Sequence, residues 1–253
     1  MCRKFGKGGA NMKLFSLIAA LMVAGSAFAN QTDASNDMMP QKVYVPIAHA
    51  YIPGGFDSND RAQIVIEGAF SNSCYKMGPY ESTLDPISGK LTIRQTAYKY
   101  NGHCLAMMIP FNQTINLGVL SPRSYTVVDG TTSATIGTLP VKASISVDSD
   151  DYVYLNVIDA YLHHGQDNTH KLYLQGVLPS ACWKVKETKV FPDGKDVIVA
   201  LPILEMDTTI PCGEYAVPYT VVVDSPAGLS AGRYLLHVRS LSGNSVNKLI
   251  DID

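Results

Sequence analysis

Five sets of residues in this chain have types and spacings that could do chemistry. Gly228-Leu229-Ser230-Ala231-Gly232 matches G-x-S-x-G, in which a serine on a sharp strand-to-helix turn becomes an acyl-transfer nucleophile once an acid and a histidine follow. That context is missing here, and a related stretch, Leu120-Ser121-Pro122-Arg123-Ser124-Tyr125, reads as a turn entering a strand. His163-His164 with Asp159, Asp167 and His170 combines imidazole and carboxylate, a donor set suited to zinc, nickel or copper. The related stretch Pro53-Gly54-Gly55-Phe56-Asp57 has no histidine, so a polar hairpin loop is expected instead. Asp148-Ser149-Asp150-Asp151 offers hard oxygen ligands for calcium but lacks the full calcium-loop spacing, and an acidic turn is expected.

Tyr75 and Trp183 each follow a cysteine and precede a lysine, Lys76 or Lys184. They either form a paired aromatic surface for a sugar or peptide, and so are the ligand-binding candidates, or pack on the neighbouring disulfides. The fifth set is Cys74, Cys104, Cys182 and Cys212. Neither a C-x-x-C pair nor a histidine spacing turns these into a zinc site. No catalytic residue, metal or cofactor follows from the sequence, and the expectation is that the protein is not an enzyme.

The elements that must position these residues are duplicated. Val43-Tyr44-Val45 through Ala50-Tyr51-Ile52 matches Val153-Tyr154-Leu155 through Ala160-Tyr161-Leu162 at an offset of 110. At an offset of 108, Gly68 meets Gly176, Cys74-Tyr75-Lys76 meets Cys182-Trp183-Lys184, Cys104 meets Cys212, and Pro110-Phe111 meets Pro218-Tyr219. At 109, Leu120-Ser121 and Tyr125 fall on Leu229-Ser230 and Tyr234. Four cysteines permit three pairings, and two equivalent repeats favour Cys74 with Cys104 and Cys182 with Cys212.

Within each repeat the hydrophobic period is two. Lys90 to Tyr98, Tyr125 to Val128, Lys171 to Leu174 and Asp196 to Ala200 are β-branched or aromatic runs, with turn signals at Ser88-Gly89 and Pro192-Asp193-Gly194. No helical stripe is sustained. The expected fold is all-β: two tandem homologous β-sandwich domains, Ig-like in architecture, over residues 41–142 and 143–253. The shared pattern is a glycine, a cysteine with an aromatic, a second cysteine some thirty residues on, a Pro-aromatic strand and a Leu-Ser-x-x-x-Tyr ending. It resembles uncharacterised disulfide-containing β-sandwich modules of exported bacterial proteins, across nearly all of residues 41–239. The resemblance implies the fold and carries no activity with it.

Lys13, an apolar run from Leu14 to Ala24 and the small-residue end Gly25-Ser26-Ala27-Phe28-Ala29 read as a secretory signal peptide over residues 1–29, cleaved after Ala29. The run is shorter than the roughly 20 residues that span a bilayer. Met12 is the natural initiator of such a leader, which makes residues 1–11 an upstream start. Residues 30–40 are expected to form a flexible mature N-terminus. Losing Arg3, Lys4, Lys7 and Lys13 with the leader takes the net charge from −2 to −6, and residues 143–253 carry fourteen acids against eight bases. Nucleic acid as a partner is therefore excluded on charge. The expected role is a non-catalytic binding or structural protein of the bacterial cell envelope, periplasmic or secreted, touching an envelope or extracellular protein or a glycan. An exported protease inhibitor and, less favoured, a secreted hydrolase are the alternatives.

Overall fold

Alternation of apolar and polar residues builds strands such as Lys90–Lys99, while Val197–Met206 is a nearly continuous apolar run buried along most of its length. In Lys90–Lys99 the side chains of Leu91 and Ile93 point inward and are almost fully buried, with Lys90, Thr92 and Arg94 between them facing outward or half-covered. The computed structural model describes residues 39–165 and 169–253; the expected leader, nearly all of the expected N-terminal segment and Asp167 lie outside the described residues.

Residues 41–142 supply β1 (Gln41–Val45), β2 (His49–Tyr51), β3 (Phe56–Asp57), β4 (Ala62–Phe70), β5 (Tyr75–Asp85), β6 (Lys90–Lys99), β7 (Ile109–Gly118), β8 (Arg123–Asp129) and β9 (Thr135–Lys142). Residues 143–253 supply β10 (Asn156–His164), β11 (His170–Leu178), β12 (Trp183–Asp193), β13 (Val197–Met206), β14 (Val217–Asp224), β15 (Gly232–Ser240) and β16 (Asn244–Ile252). The fold is all-β, with no helix among the described residues.

Four sheets result, in the orders β1-β6-β8-β9-β3 with β5 beside β6, β2-β4-β7, β10-β11-β14 and β12-β13-β15-β16. The second half repeats the pairing of the first. β5–β6 and β12–β13 are antiparallel, β6–β8 and β13–β15 parallel, β8–β9 and β15–β16 antiparallel, and β7 pairs with β4 as β14 pairs with β11. Each parallel pair is possible because the intervening strand, β7 or β14, crosses to the facing sheet.

Two facing sheets then enclose one core in each half. Ile64, Ile66 and Ile115 of the β2-β4-β7 sheet meet Leu91, Ile93, Val127 and Leu139 of the larger sheet. In the second half Leu172, Leu174 and Val221 meet Ile198, Leu236 and Ile250. This is the layer geometry of sheet-on-sheet packing.

The repeated Leu-Ser-x-x-x-Tyr ending has a definite structural job. The buried Tyr125 hydroxyl donates to the carbonyl of Ser121 at 2.8 Å, and Tyr234 does the same to Ser230 at 3.0 Å, pinning the turn that enters β8 and β15. Such tyrosine corners recur in β-sandwiches. Tyr125→Phe and Tyr234→Phe are each expected to cost about 1 kcal/mol, read as a lower midpoint in urea with an unchanged slope.

A short connection is not all that joins the halves. Tyr51 and Val65 pack in one buried cluster with Val197, Val199 and Leu235. Arg239, on β15, forms a buried ion pair with Asp60, with one guanidinium nitrogen 2.6 Å from the carboxylate, and reaches Asp150 at 3.3 Å. Gln63 accepts hydrogen bonds from Ser245 at 2.9 Å and Asn247 at 2.6 Å, and the Phe56 ring meets His237 edge-on at 5.2 Å. The described residues accordingly fall into a single compact unit.

Candidate functional site

The G-x-S-x-G stretch is not an elbow. Gly228, at φ 77°, turns the chain, Gly232 opens β15 directly, and the Ser230 carbonyl is occupied by Tyr234. A strand follows where a nucleophile elbow needs a helix.

The histidines correct the expectation of a polar loop. His163 and His164 end strand β10, in register with Lys171 and His170. The His163 ring stands edge-on to Tyr173 at 5.9 Å, and His164 does so to His170 at 4.9 Å. Asp159 is taken by Lys248 at 2.7 Å, and that hydrogen bond holds its carboxyl below the usual range. No group of three or more His, Cys, Asp or Glu side chains placed to hold a metal occurs among the described residues.

Two of the three carboxylates of the acidic turn are engaged by the protein itself. Asp151 accepts from the Ile145 and Ser146 amides, both at 3.1 Å, and from Asn59 at 3.0 Å; Asp150 accepts from Gly243 at 3.0 Å and faces Arg239. These carboxylates staple the junction between the halves.

Two buried titrating groups here work against each other. Burial pushes Asp150 up to about 6 despite Arg239, and burial pulls His237 down to about 4 although Nδ1 is 2.7 Å from the Asn247 side-chain oxygen. As pH falls from 6.5 through 4 the unfolded chain takes up a proton that folded His237 refuses, so His237 contributes less stability. Over the same descent folded Asp150 binds its proton before the unfolded chain does, so stability is gained as pH falls through 6. Wild-type stability should therefore vary little between pH 7 and 5. His237→Gln should become more stable at pH 5 than at pH 7, and Asp150→Asn should lose stability over that interval; denaturant titrations at both pH values read this directly.

Tyr75 stacks on Phe70 at 5.7 Å with rings 8° from parallel, against the cluster of Val45, Phe70, Ala97 and Phe111. Trp183 packs against the core of the second half. Both are partly buried and they lie on different sheets, so the structure does not bring them together as one surface.

The cysteines do organise a surface. Disulfides join Cys74 to Cys104 and Cys182 to Cys212, with Cα separations of 5.3 and 4.8 Å. Each ties the start of a long strand, β5 or β12, to an exposed loop leading into β7 or β14. In the first loop, residues 100–108, Leu105 is held a second time: its amide donates to the Ser73 hydroxyl at 2.8 Å and its carbonyl accepts from the Ser73 amide at 3.2 Å. The loop has little freedom, yet Leu105, Met107 and Met108 stand 67%, 52% and 65% exposed. The second loop leaves Ile210 and Tyr215 exposed in the corresponding place. Sequence reasoning passed over this surface. The available signal was Leu105-Ala106-Met107-Met108, an apolar run directly after a stapled cysteine and outside any alternating strand pattern.

No helix of the described residues is long and apolar enough to cross a membrane. No curated protein and no solved structure matches the chain. Residues 64–136, from β4 to the first residues of β9, match the model of a family described as the ORF11 beta-sandwich domain, in agreement with the two facing sheets seen there.

Proposed function

We propose that the chain is an exported, non-catalytic binding protein of the bacterial cell envelope, periplasmic or secreted, built from two duplicated β-sandwich modules over residues 41–142 and 143–253. Its contact surface is the disulfide-held loop 100–108, and its ligand is a protein. The observation that carries this reading is the exposure of Leu105, Met107 and Met108 on a loop fixed at two successive residues. A rigid loop loses little conformational entropy on binding, and each such side chain contributes roughly 1.5–3 kcal/mol when a partner buries it. Aliphatic and thioether side chains suit an apolar protein pocket. Two disulfides suit an oxidising compartment.

Immobilised oxidised protein, crosslinked to envelope and secreted extracts of its source cells, tests the reading. One dominant protein should be retained, and a Leu105→Glu/Met108→Glu variant with an unchanged melting temperature should fail to retain it. Equal retention by that variant removes the loop from the account. A protease inhibitor is the special case in which the retained protein is a protease, held stoichiometrically and cleaving slowly within residues 100–108.

A further inference from the structure

Strand β14 is the outer strand of the β10-β11-β14 sheet, with β11 its one neighbour there. Among the described residues no strand pairs with its far side, which presents a row of backbone amides and carbonyls. Natural edges are blunted with charges, prolines or bulges. Here Tyr219-Thr220-Val221-Val222-Val223 carries no charge, the β11–β14 register runs without a shift, and Pro218 guards only the N-terminal end.

The related edge in the first half is closed. The Tyr80 hydroxyl accepts from the amide of Asn116 at 3.0 Å and donates to its carbonyl at 3.3 Å, so it occupies β7 where an added strand would pair. At the repeat offset of 108, Tyr80 corresponds to Thr188, whose hydroxyl is buried without a hydrogen-bond partner. The cap is present on one edge and not on the other.

We propose that two copies of this chain join through β14, antiparallel, about a two-fold axis at Val222. The strand is complementary to itself in that register. Val222 meets Val222, Val221 meets Val223, Thr220 meets Asp224 and Tyr219 meets Ser225, so no like charges face each other and a hydroxyl donor faces the only carboxylate. Centring the axis on Asp224 would oppose two carboxylates, and centring it on Thr220 would set Val222 against Pro218, which has no amide to donate. On the outer face Tyr161, Tyr173 and Val222 form one cross-strand row, with the tyrosine rings stacked at 5.2 Å and Val222 47% exposed. The two-fold axis continues that row across a joined six-stranded sheet.

Sedimentation velocity of the full chain over a concentration series should show a monomer–dimer equilibrium. Val222→Lys, which sets two ammonium groups against each other at the axis, should weaken it by roughly 100-fold or more. Asn112→Lys, at an exposed position on the capped strand β7, should leave it unchanged; near-UV circular dichroism verifies that both variants fold. Val222→Cys should give a crosslinked dimer with a short bifunctional thiol reagent, because directly opposed residues on antiparallel strands sit about 4.5–5.5 Å apart at Cβ. A chain that stays monomeric, a dimer unaffected by Val222→Lys, or crosslinking no greater than that of Asn112→Cys overturns the proposal. So does a monomer that takes up an extended peptide at β14.

Discussion

Arg239→Met is expected to destabilise the protein by about 3–5 kcal/mol, a large fraction of the total stability of an ordinary domain. Arg239 and Asp60 are 4% and 2% exposed, and the guanidinium also faces Asp150 and lies over the Phe56 and Tyr154 rings at 5.6 Å. Removing the cation strands two carboxylates in a site with little access to water. The cost is mostly that of the unpaired charges, not the worth of the pair. The triple variant Arg239→Met/Asp60→Asn/Asp150→Asn should therefore recover a good part of the loss, because no buried charge is left uncompensated. Urea unfolding of the three proteins reads both effects, and a triple variant no more stable than Arg239→Met would show that packing, not charge, holds this site. Since Asp60 belongs to the first half and Arg239 to the second, Arg239→Met should also separate unfolding into two transitions.

Opening either disulfide should cost nearly as much. Each closes a loop of 30 residues in sequence, which the chain-entropy account values at roughly 3.5 kcal/mol. Cys182→Ala/Cys212→Ala should show that loss as a lower melting temperature, with Cys182 almost fully buried and its methyl replacement tolerated. Cys74→Ala/Cys104→Ala should show a similar loss and a second consequence. Loop 100–108 then loses its covalent tie and keeps only non-covalent ones, among them the Ser73–Leu105 pair and the Tyr100 amide on the Cys74 carbonyl at 2.8 Å, so limited proteolysis should cut there in the variant and not in the oxidised wild type, and capture of a partner should weaken more than the change in stability explains. If the loop resists proteolysis without its disulfide, its non-covalent ties, among them Ser73–Leu105 and Tyr100–Cys74, are sufficient to fix it.

The strands were legible because their signal is local. β-branched and aromatic runs place Lys90–Tyr98 within a residue of the observed Lys90–Lys99 and find the start of Val197–Met206, though the run Asp196–Ala200 stops six residues short of its end; the duplicated spacing of the cysteines selects the pairing seen. The turn signal at Pro192-Asp193-Gly194 is displaced slightly, since Pro192 and Asp193 still pair with Ile198 and Val197. The histidines misled for an equally local reason: polar residues beside a glycine look like a loop, whereas cross-strand contacts with Tyr173 and His170 keep His163 and His164 in the ladder.

The sequence by itself determined the all-β character, the repeat and which cysteines are equivalent, since each follows from periodicity or spacing along the chain. Only the tertiary structure decided what those residues face. That Asp60 and Arg239 meet across 179 positions, that Asp150 and Asp151 serve protein donors instead of a cation, and that β7 is capped while β14 is open are matters of long-range packing. Burial and partnership are set by which surfaces close on one another in space, and neither periodicity nor spacing along one chain encodes that.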